Sequence, residues 1–265
     1  MASRAQQKEQ ARQRRLAAEQ EAAAAIARMR RMQMIIGVVL IALVVVGVAV
    51  AISSGGSSAK APTANSAAAK AAKAQVDSLL AGIPQSGNRL GSPAAKVTVT
   101  EFGDLECPIC KDFALGAENQ LIANDVKSGK VQLIYRSLCT ATCNFSQAVF
   151  PVQQSAALAA GLQGHEWDYV ELFYHEQGPE GTGYVTNDYL NGLASQVTGL
   201  NYTKWLSDRS SQTLASQVSA DEQEAAAKGF QSTPTIVVQG PKGQAQPQQS
   251  AIDYPTLESM IKSVS

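Results

Sequence analysis

The sequence lacks an excess of charge of either sign: 22 lysines and arginines balance 22 aspartates and glutamates. A chain-wide basic surface of the kind that binds nucleic acid is therefore absent. Histidine is scarce, with only His165 and His175. No cysteine or carboxylate stands at metal-ligand spacing beside them, so packing or surface roles suit both better than ligation. The aromatic residues between them (Trp167, Tyr169, Phe173, Tyr174) read as helical core rather than as a binding box. Cysteine occurs four times, at 107, 110, 139 and 143, and nowhere in the first 106 residues. No internal repeat is visible.

The overall neutrality hides an asymmetry. Residues 1–33 carry eight Lys/Arg against three acids, so the head is basic and the remainder acidic. The run MIIGVVLIALVVVGVAVAI follows, residues 34–52, without a charged or strongly polar side chain. At about 1.5 Å per residue it nearly crosses a hydrocarbon core of roughly 30 Å. A lone segment in lipid must satisfy its own backbone, which requires a helix. Arg28, Arg30 and Arg31 are expected to stay cytoplasmic and send the C-terminal portion outward. A cleaved signal peptide is the alternative, because Ala49-Val50-Ala51 resembles a cleavage site. The basic region and the apolar core are both longer than such peptides usually have. The expectation is thus a basic cytoplasmic tail (1–33), a single transmembrane helix contacting the lipid bilayer (34–52) and a flexible linker (53–75). That topology places all four cysteines where disulfides form and persist.

Folded structure is expected from Val76 to Ser265. VTVTEF alternates with period two and reads as a strand. The segment after Cys110 reads as a helix broken near Gly116 and ended by Gly129, and VQLIYRSL as a buried strand. A helical block occupies about 144–229, including one continuous stretch from Tyr202 to Gly229. TIVV is a strand, and TLESMIKSV closes the chain as a helix starting just after Pro255. The simplest architecture is an α/β sheet domain with a helical insertion.

A strand running into Cys107-Pro108-Ile109-Cys110 at a helix start is a thioredoxin-like signal. Cys107 falls near the N-cap and Pro108 at the first helical position, where a missing N–H costs nothing. Free N–H groups and the helix dipole stabilise a thiolate on Cys107. Each pKa unit of depression is worth about 1.4 kcal/mol, or roughly 30 mV towards the oxidising side. Two other readings stay open on these residues alone. One is a structural disulfide; the other is a zinc site, although 28 residues between the pairs exceed the usual ribbon spacing. Glu101 lies on the strand leading into the helix. Pro234, directly before a β-rich run, is tolerated only at a strand's start or edge and is a candidate cis residue.

EFGDLECPIC followed far downstream by GFQSTPTIVV resembles the DsbA-like thiol-disulfide oxidoreductases of the thioredoxin superfamily. GIPQSGNRLGSP ahead of the first strand is similar to the membrane-anchored bacterial branch. The resemblance spans roughly residues 76–265 and implies a thioredoxin-like α/β fold with an inserted helical domain, preceded here by one N-terminal transmembrane helix. By position it implies that Cys107 is the exposed nucleophile and Cys110 its buried partner. It also implies that Thr233 and cis-Pro234 face the disulfide and the substrate, and that Glu101 is the buried acid exchanging protons with Cys110. The implied substrates are exported proteins with free thiols. The implied partner is a membrane-embedded reoxidase of the DsbB or vitamin-K-epoxide-reductase type, and no cofactor or metal is called for. The implied location is the bacterial cell membrane, with the catalytic domain outside. The best-known oxidants of the family have His between the cysteines. Ile109 supplies neither its hydrogen bond nor its charge, so a less acidic Cys107 and a less oxidising couple are expected here. A reductase or isomerase on the same fold, or a non-enzymatic anchored module with structural disulfides, are the alternatives.

Cys139 and Cys143 follow the second strand. On a regular helix, i and i+4 Cβ atoms lie about 5–6 Å apart, too far for a disulfide, which needs about 3.8 Å. A local structural disulfide therefore requires a turn or a distorted helix start, which Thr140-Ala141-Thr142 can supply. A second redox pair is the sharper alternative.

Overall fold

The structure, a computed structural model, describes residues 66–265. The expected basic tail, the transmembrane helix 34–52 and the linker up to residue 65 lie outside the described residues. Among the described residues no helix is long and apolar enough to cross a membrane.

Helix α1 spans Ala67–Leu80, capped by the Ser66 side chain, which accepts from the Ala69 amide at 3.0 Å. Residues 67–75 are thus helical where their Ala/Lys composition reads as linker. The reason is a stripe of small apolar residues: Ala69, Ala72, Val76 and Leu80 recur at helical spacing and are buried. A short hairpin, β1 (Gln85–Ser86) and β2 (Arg89–Leu90), then leads into β3 (Val97–Gly103). Helix α2 opens at Pro108–Phe113. It continues through a π-helical turn (Ala114–Glu118), an α-helical turn (Asn119–Leu121) and a second π turn (Ile122–Val126). Gly116 therefore sits in a π turn of an unbroken helix and not at a break. Each π turn adds a residue to the turn and re-aims the side chains beyond it.

Strand β4 (Val131–Ser137) runs parallel to β3, while β5 (Thr235–Gly240) runs antiparallel on the other side of β3. With β6 (Gly243–Gln244) the sheet order is β1-β2-β4-β3-β5-β6. β3 is therefore central, and apart from Thr98 and Thr100 its residues are buried, as expected of a strand covered on both faces. The register sets Glu101 beside Tyr135 on β4 and Ile236 on β5.

Between β4 and β5 lie the helices α3 (Val149–Gly161), α4 (Glu166–His175), α5 (Asn187–Ala194), α6 (Tyr202–Asp208) and α7 (Gln212–Ala227). The stretch expected as one helix after Tyr202 is two. Ser211 interrupts it by accepting from the Thr213 amide and capping α7. Trp167 and Trp205 are fully buried and donate their indole N–H to Asn88 and Ala156 carbonyls at 3.2 and 2.8 Å. Burial of each contributes about 3 kcal/mol. Helix α8 (Tyr254–Val264) closes the chain with Pro255 inside its first turn, behind an Asp253 cap.

Candidate active site

Strand β3 ends at Gly103, and a short loop delivers Cys107 as the N-cap of α2, with Pro108 in the first turn. The loop is held at several points. The Cys107 amide donates to the Asp104 carbonyl at 2.9 Å, and the Gln177 side chain donates to the Leu105 and Cys107 carbonyls at 2.7 and 3.1 Å. Gln177 follows α4, so the helical insertion clamps the loop. Cys107 and Cys110 are both free thiols. Cys107 keeps only 6% exposure, less than an exposed nucleophile would have, because the Thr233–Pro234 segment lies over it. The Cys107 thiol donates to the Thr233 carbonyl at 3.6 Å, and the Thr233–Pro234 peptide is cis. Cys110 is fully buried, while both residues of the dipeptide, Pro108 and Ile109, are exposed, Ile109 at 46%.

The two sulfurs are driven apart electrostatically. Cys107 is lowered to about 6. The Cys110 thiol hydrogen-bonded to it is the largest cause, followed among the favourable ones by Thr233 and the amides of Cys110 and Ile109; burial opposes them. Ile109 thus contributes through its backbone where a side-chain contribution is missing. Cys110 is pushed well above the ordinary thiol value, by burial first and then by Cys107 and Glu101. The depressed Cys107 value stabilises the folded dithiol form. This contribution is complete above the ordinary value of 9.0 and is lost as pH falls through about 6. At pH 7 it is on the order of 1 kcal/mol.

Beneath the cysteines, Glu101 is fully buried and pushed up to about 8, mainly by burial; a hydrogen bond from Glu118 lowers it, and Glu171 and Cys107 raise it. A Cβ at Gly103 would meet the Tyr135 ring at 2.7 Å and Glu101 Oε1 at 3.1 Å, so glycine is what lets Tyr135 and Glu101 close on each other. Glu118 and Glu171 are also fully buried. The sequence contains a signal for both, although the motifs do not include them. Glu118 interrupts the apolar face Phe113, Ala114, Ala117, Leu121 of α2, and Glu171 interrupts Trp167, Val170, Tyr174 of α4.

Cys139 and Cys143 form a disulfide with Cα atoms 5.7 Å apart, across a tight segment that ends in a 3-10 turn (Thr142–Asn144). The distorted local geometry expected for an i, i+4 pair is present. Two residues to which the sequence motifs assign no role tie this clip to the site. Thr140 pairs its hydroxyl with that of Thr233 at 2.5 Å. Asp104, fully buried, accepts from the Thr140 and Thr142 amides at 3.0 and 2.9 Å, the Thr142 hydroxyl at 2.5 Å and the Glu106 amide at 3.1 Å. An acid in the loop between strand and cysteine pair was the available signal. His165 lies 3.2 Å from Asp168 through Nδ1, and His175 ends α4, its pKa lowered by burial and by Lys111.

The thioredoxin family model matches residues 85–262 of this chain. Disulfide bond formation protein D of Bacillus subtilis (strain 168) is 30% identical over 156 residues, a match covering 56% of this chain and 66% of that relative's own length. Among solved structures, oxidised BdbD from Bacillus subtilis superposes with a TM-score of 0.58 at 24% identity, covering 68% of this chain and 95% of that one. DsbA2 from Pseudomonas aeruginosa gives 0.54 at 22% identity, covering 69% and 97%. Both share the fold described above.

Proposed function

This chain belongs to the thioredoxin family, and we propose that it is an extracytoplasmic thiol-disulfide oxidoreductase that donates a Cys107–Cys110 disulfide to exported proteins. The observation that carries this is the division of labour between the sulfurs. Cys107 is lowered to about 6 at a helix N-terminus, and Cys110, fully buried, is pushed the other way. A structural disulfide needs no such asymmetry, whereas exchange needs a good leaving and attacking sulfur beside a protected partner.

In the oxidised enzyme a substrate thiolate attacks Cys107 Sγ. The Cys107–Cys110 bond breaks and its electron pair leaves on Cys110 Sγ, which takes a proton from Glu101. The second substrate thiolate then attacks the substrate sulfur of the mixed disulfide, and Cys107 leaves as a thiolate that its neighbours stabilise. The substrate departs oxidised, and the enzyme is left with two reduced cysteines. The Thr233 carbonyl and Pro234 border the reacting sulfur, where an extended substrate backbone can pair in the manner of strand addition. Cys139–Cys143 serves as a clip holding Thr140 against Thr233.

Residues 34–52 anchor the protein in the bacterial cell membrane, with residues 1–33 cytoplasmic and the cysteines outside. A quinone-linked membrane partner of the DsbB or vitamin-K-epoxide-reductase type restores the disulfide. The test is equilibration of the protein with glutathione buffers, each cysteine assigned by mass spectrometry. The expected result is a Cys107–Cys110 bond that opens at a potential above the glutathione pool. A potential near that of thioredoxin, about −270 mV, would assign a reductase instead. A bond inert to glutathione would place the chain among structural modules.

A further inference from the structure

Glu101, Glu118 and Glu171 come from three different elements, β3, the first π turn of α2 and α4, and meet in one fully buried cluster. Glu101 and Glu118 face each other closely enough to share a hydrogen bond, and Glu171 acts on both. All six carboxyl oxygens lack a donor from any other group. Two facing carboxylates are both acceptors, so a bond between them exists only when one holds a proton. The remaining groups that act on the cluster are Cys107 and Cys110 of α2, Tyr135 of β4, and Tyr174 and Asp168 of α4. None is a cation. Among the described residues no ion pair reaches the three glutamates. Three carboxyls in a desolvated pocket without a counter-charge cannot all ionise, so the cluster holds exchangeable protons.

The cluster also has an exit. Asp168 lies three residues before Glu171 on α4, a spacing that puts side chains on one face. Its carboxyl accepts from the Gln85 side chain at 2.8 Å and sits 3.2 Å from His165 Nδ1, with both side chains partly exposed.

We propose that Glu118 and Glu171 join Glu101 in one buried carboxyl relay that stores and passes on the proton Cys110 takes up when its bond to Cys107 opens. Glu118 and Glu171 are positioning residues: they act through Glu101, which alone exchanges with the sulfur. The relay rests on the thiol-disulfide function above. When Cys110 leaves as a thiolate it takes the Glu101 proton, Glu101 regains one from Glu118, and Glu171 refills Glu118. One proton enters from water by way of His165 and Asp168. Reoxidation returns that proton along the same groups. The π turn supplies the placement, because it re-aims Glu118 towards the sheet.

The test follows reduction of the Cys107–Cys110 disulfide by dithiothreitol in the full-length chain, as a function of pH, in wild type, Glu118→Gln, Glu171→Gln and Glu118→Asp. Glutamine has no carboxyl proton to hand on, so neither variant refills Glu101, and Glu171→Gln also removes a charge that raises it. Glu101 therefore supplies the proton only at lower pH. The expected result is a pH profile displaced by about one unit towards acid, hence about tenfold slower exchange near neutrality, in both Gln variants. Glu118→Asp restores the wild-type profile, and alkylation of Cys107 is unchanged throughout. Folded Gln variants with the wild-type profile would overturn the relay while leaving the enzyme intact. A wild type that does not exchange at all would overturn the function on which the relay rests. Carbon-13 NMR of the glutamate carboxyls in the wild type decides the matter even if the variants fail to fold. The Glu118 and Glu171 resonances are expected to titrate with Glu101 and to shift when the disulfide forms. Resonances indifferent to the redox state would overturn the relay.

Discussion

Replacing Cys107 by Ser abolishes disulfide exchange: turnover of a dithiol peptide falls at least about 10³-fold. A serine oxygen neither forms the mixed disulfide nor ionises near neutrality, so every step that passes through Cys107 Sγ stops. Cys110→Ala behaves differently. Cys107 remains at the helix N-terminus and its thiolate attacks a disulfide of the substrate, one substrate sulfur leaving as a thiolate. Cys110, which would displace the bound chain and close the Cys107–Cys110 bond, is gone, so a mixed disulfide at Cys107 accumulates. Ile109→Ala changes the rate less than about threefold, because Ile109 stabilises the thiolate by its amide and not by its side chain. Cys139→Ser slows exchange without stopping it, because the clip that holds Thr140 against Thr233 opens, and costs about 2 kcal/mol of stability, the chain-entropy value for so short a loop. Peptide oxidation assays with the four variants distinguish these outcomes. Comparable loss in Cys107→Ser and Cys139→Ser would contradict the assignment of roles.

Asp104→Ala is the substitution with the largest expected effect on stability. Asp104 is fully buried and accepts from the amides of Glu106, Thr140 and Thr142 and from the Thr142 hydroxyl, with the Gln153 amide at 3.4 Å. Alanine leaves those donors without partners, and each buried orphan costs about 1–3 kcal/mol. Because they share one acceptor the costs do not add in full, and the expected loss is about 3–5 kcal/mol. That is a large part of the roughly 5–15 kcal/mol that holds a domain folded. Urea denaturation reads it directly. Asp104→Asn keeps an acceptor in place and loses less. The same substitution loosens the Cys139–Cys143 clip, and with it the Thr140–Thr233 contact beside Cys107, so exchange slows even in the molecules that stay folded. An Asp104→Ala protein with the wild-type denaturation midpoint would show that the loop is held by other contacts.

Much of the framework can be read from the chain itself. The alternating run before Cys107 forms β3, the β-rich run after Gly129 forms β4, and the apolar run after Pro234 forms β5, because each has a pattern only a central or flanking strand satisfies. The cysteine pair falls at a helix N-terminus because Pro108 is compatible with the first turn and with little beyond it. What stays hidden depends on partners far away in sequence. The helix beginning at Ala67 is built from alanines that resemble a tether until a groove buries them. The β1–β2 hairpin is only two residues per strand, too short to carry a pattern, and exists because β2 pairs with β4. Cys107 loses its exposure to a segment 126 residues downstream. Glu118 and Glu171 show in the sequence only as breaks in the apolar faces of their helices; that they turn inward together depends on the π turn and the packing of α4. Propensity rates a glutamate as a good helix residue whichever way it points.

The central claim is that this fold makes Cys107 a thiolate at neutral pH, and its alkylation rate in the reduced protein tests that most directly. Iodoacetamide labelling, followed by mass spectrometry at Cys107, is expected to rise with pH through a midpoint near 6, while Cys110, buried and pushed upward, stays unlabelled. A Cys107 midpoint at the ordinary thiol value of 9.0, or equal labelling of the two cysteines, would contradict a Cys107 thiolate at neutral pH.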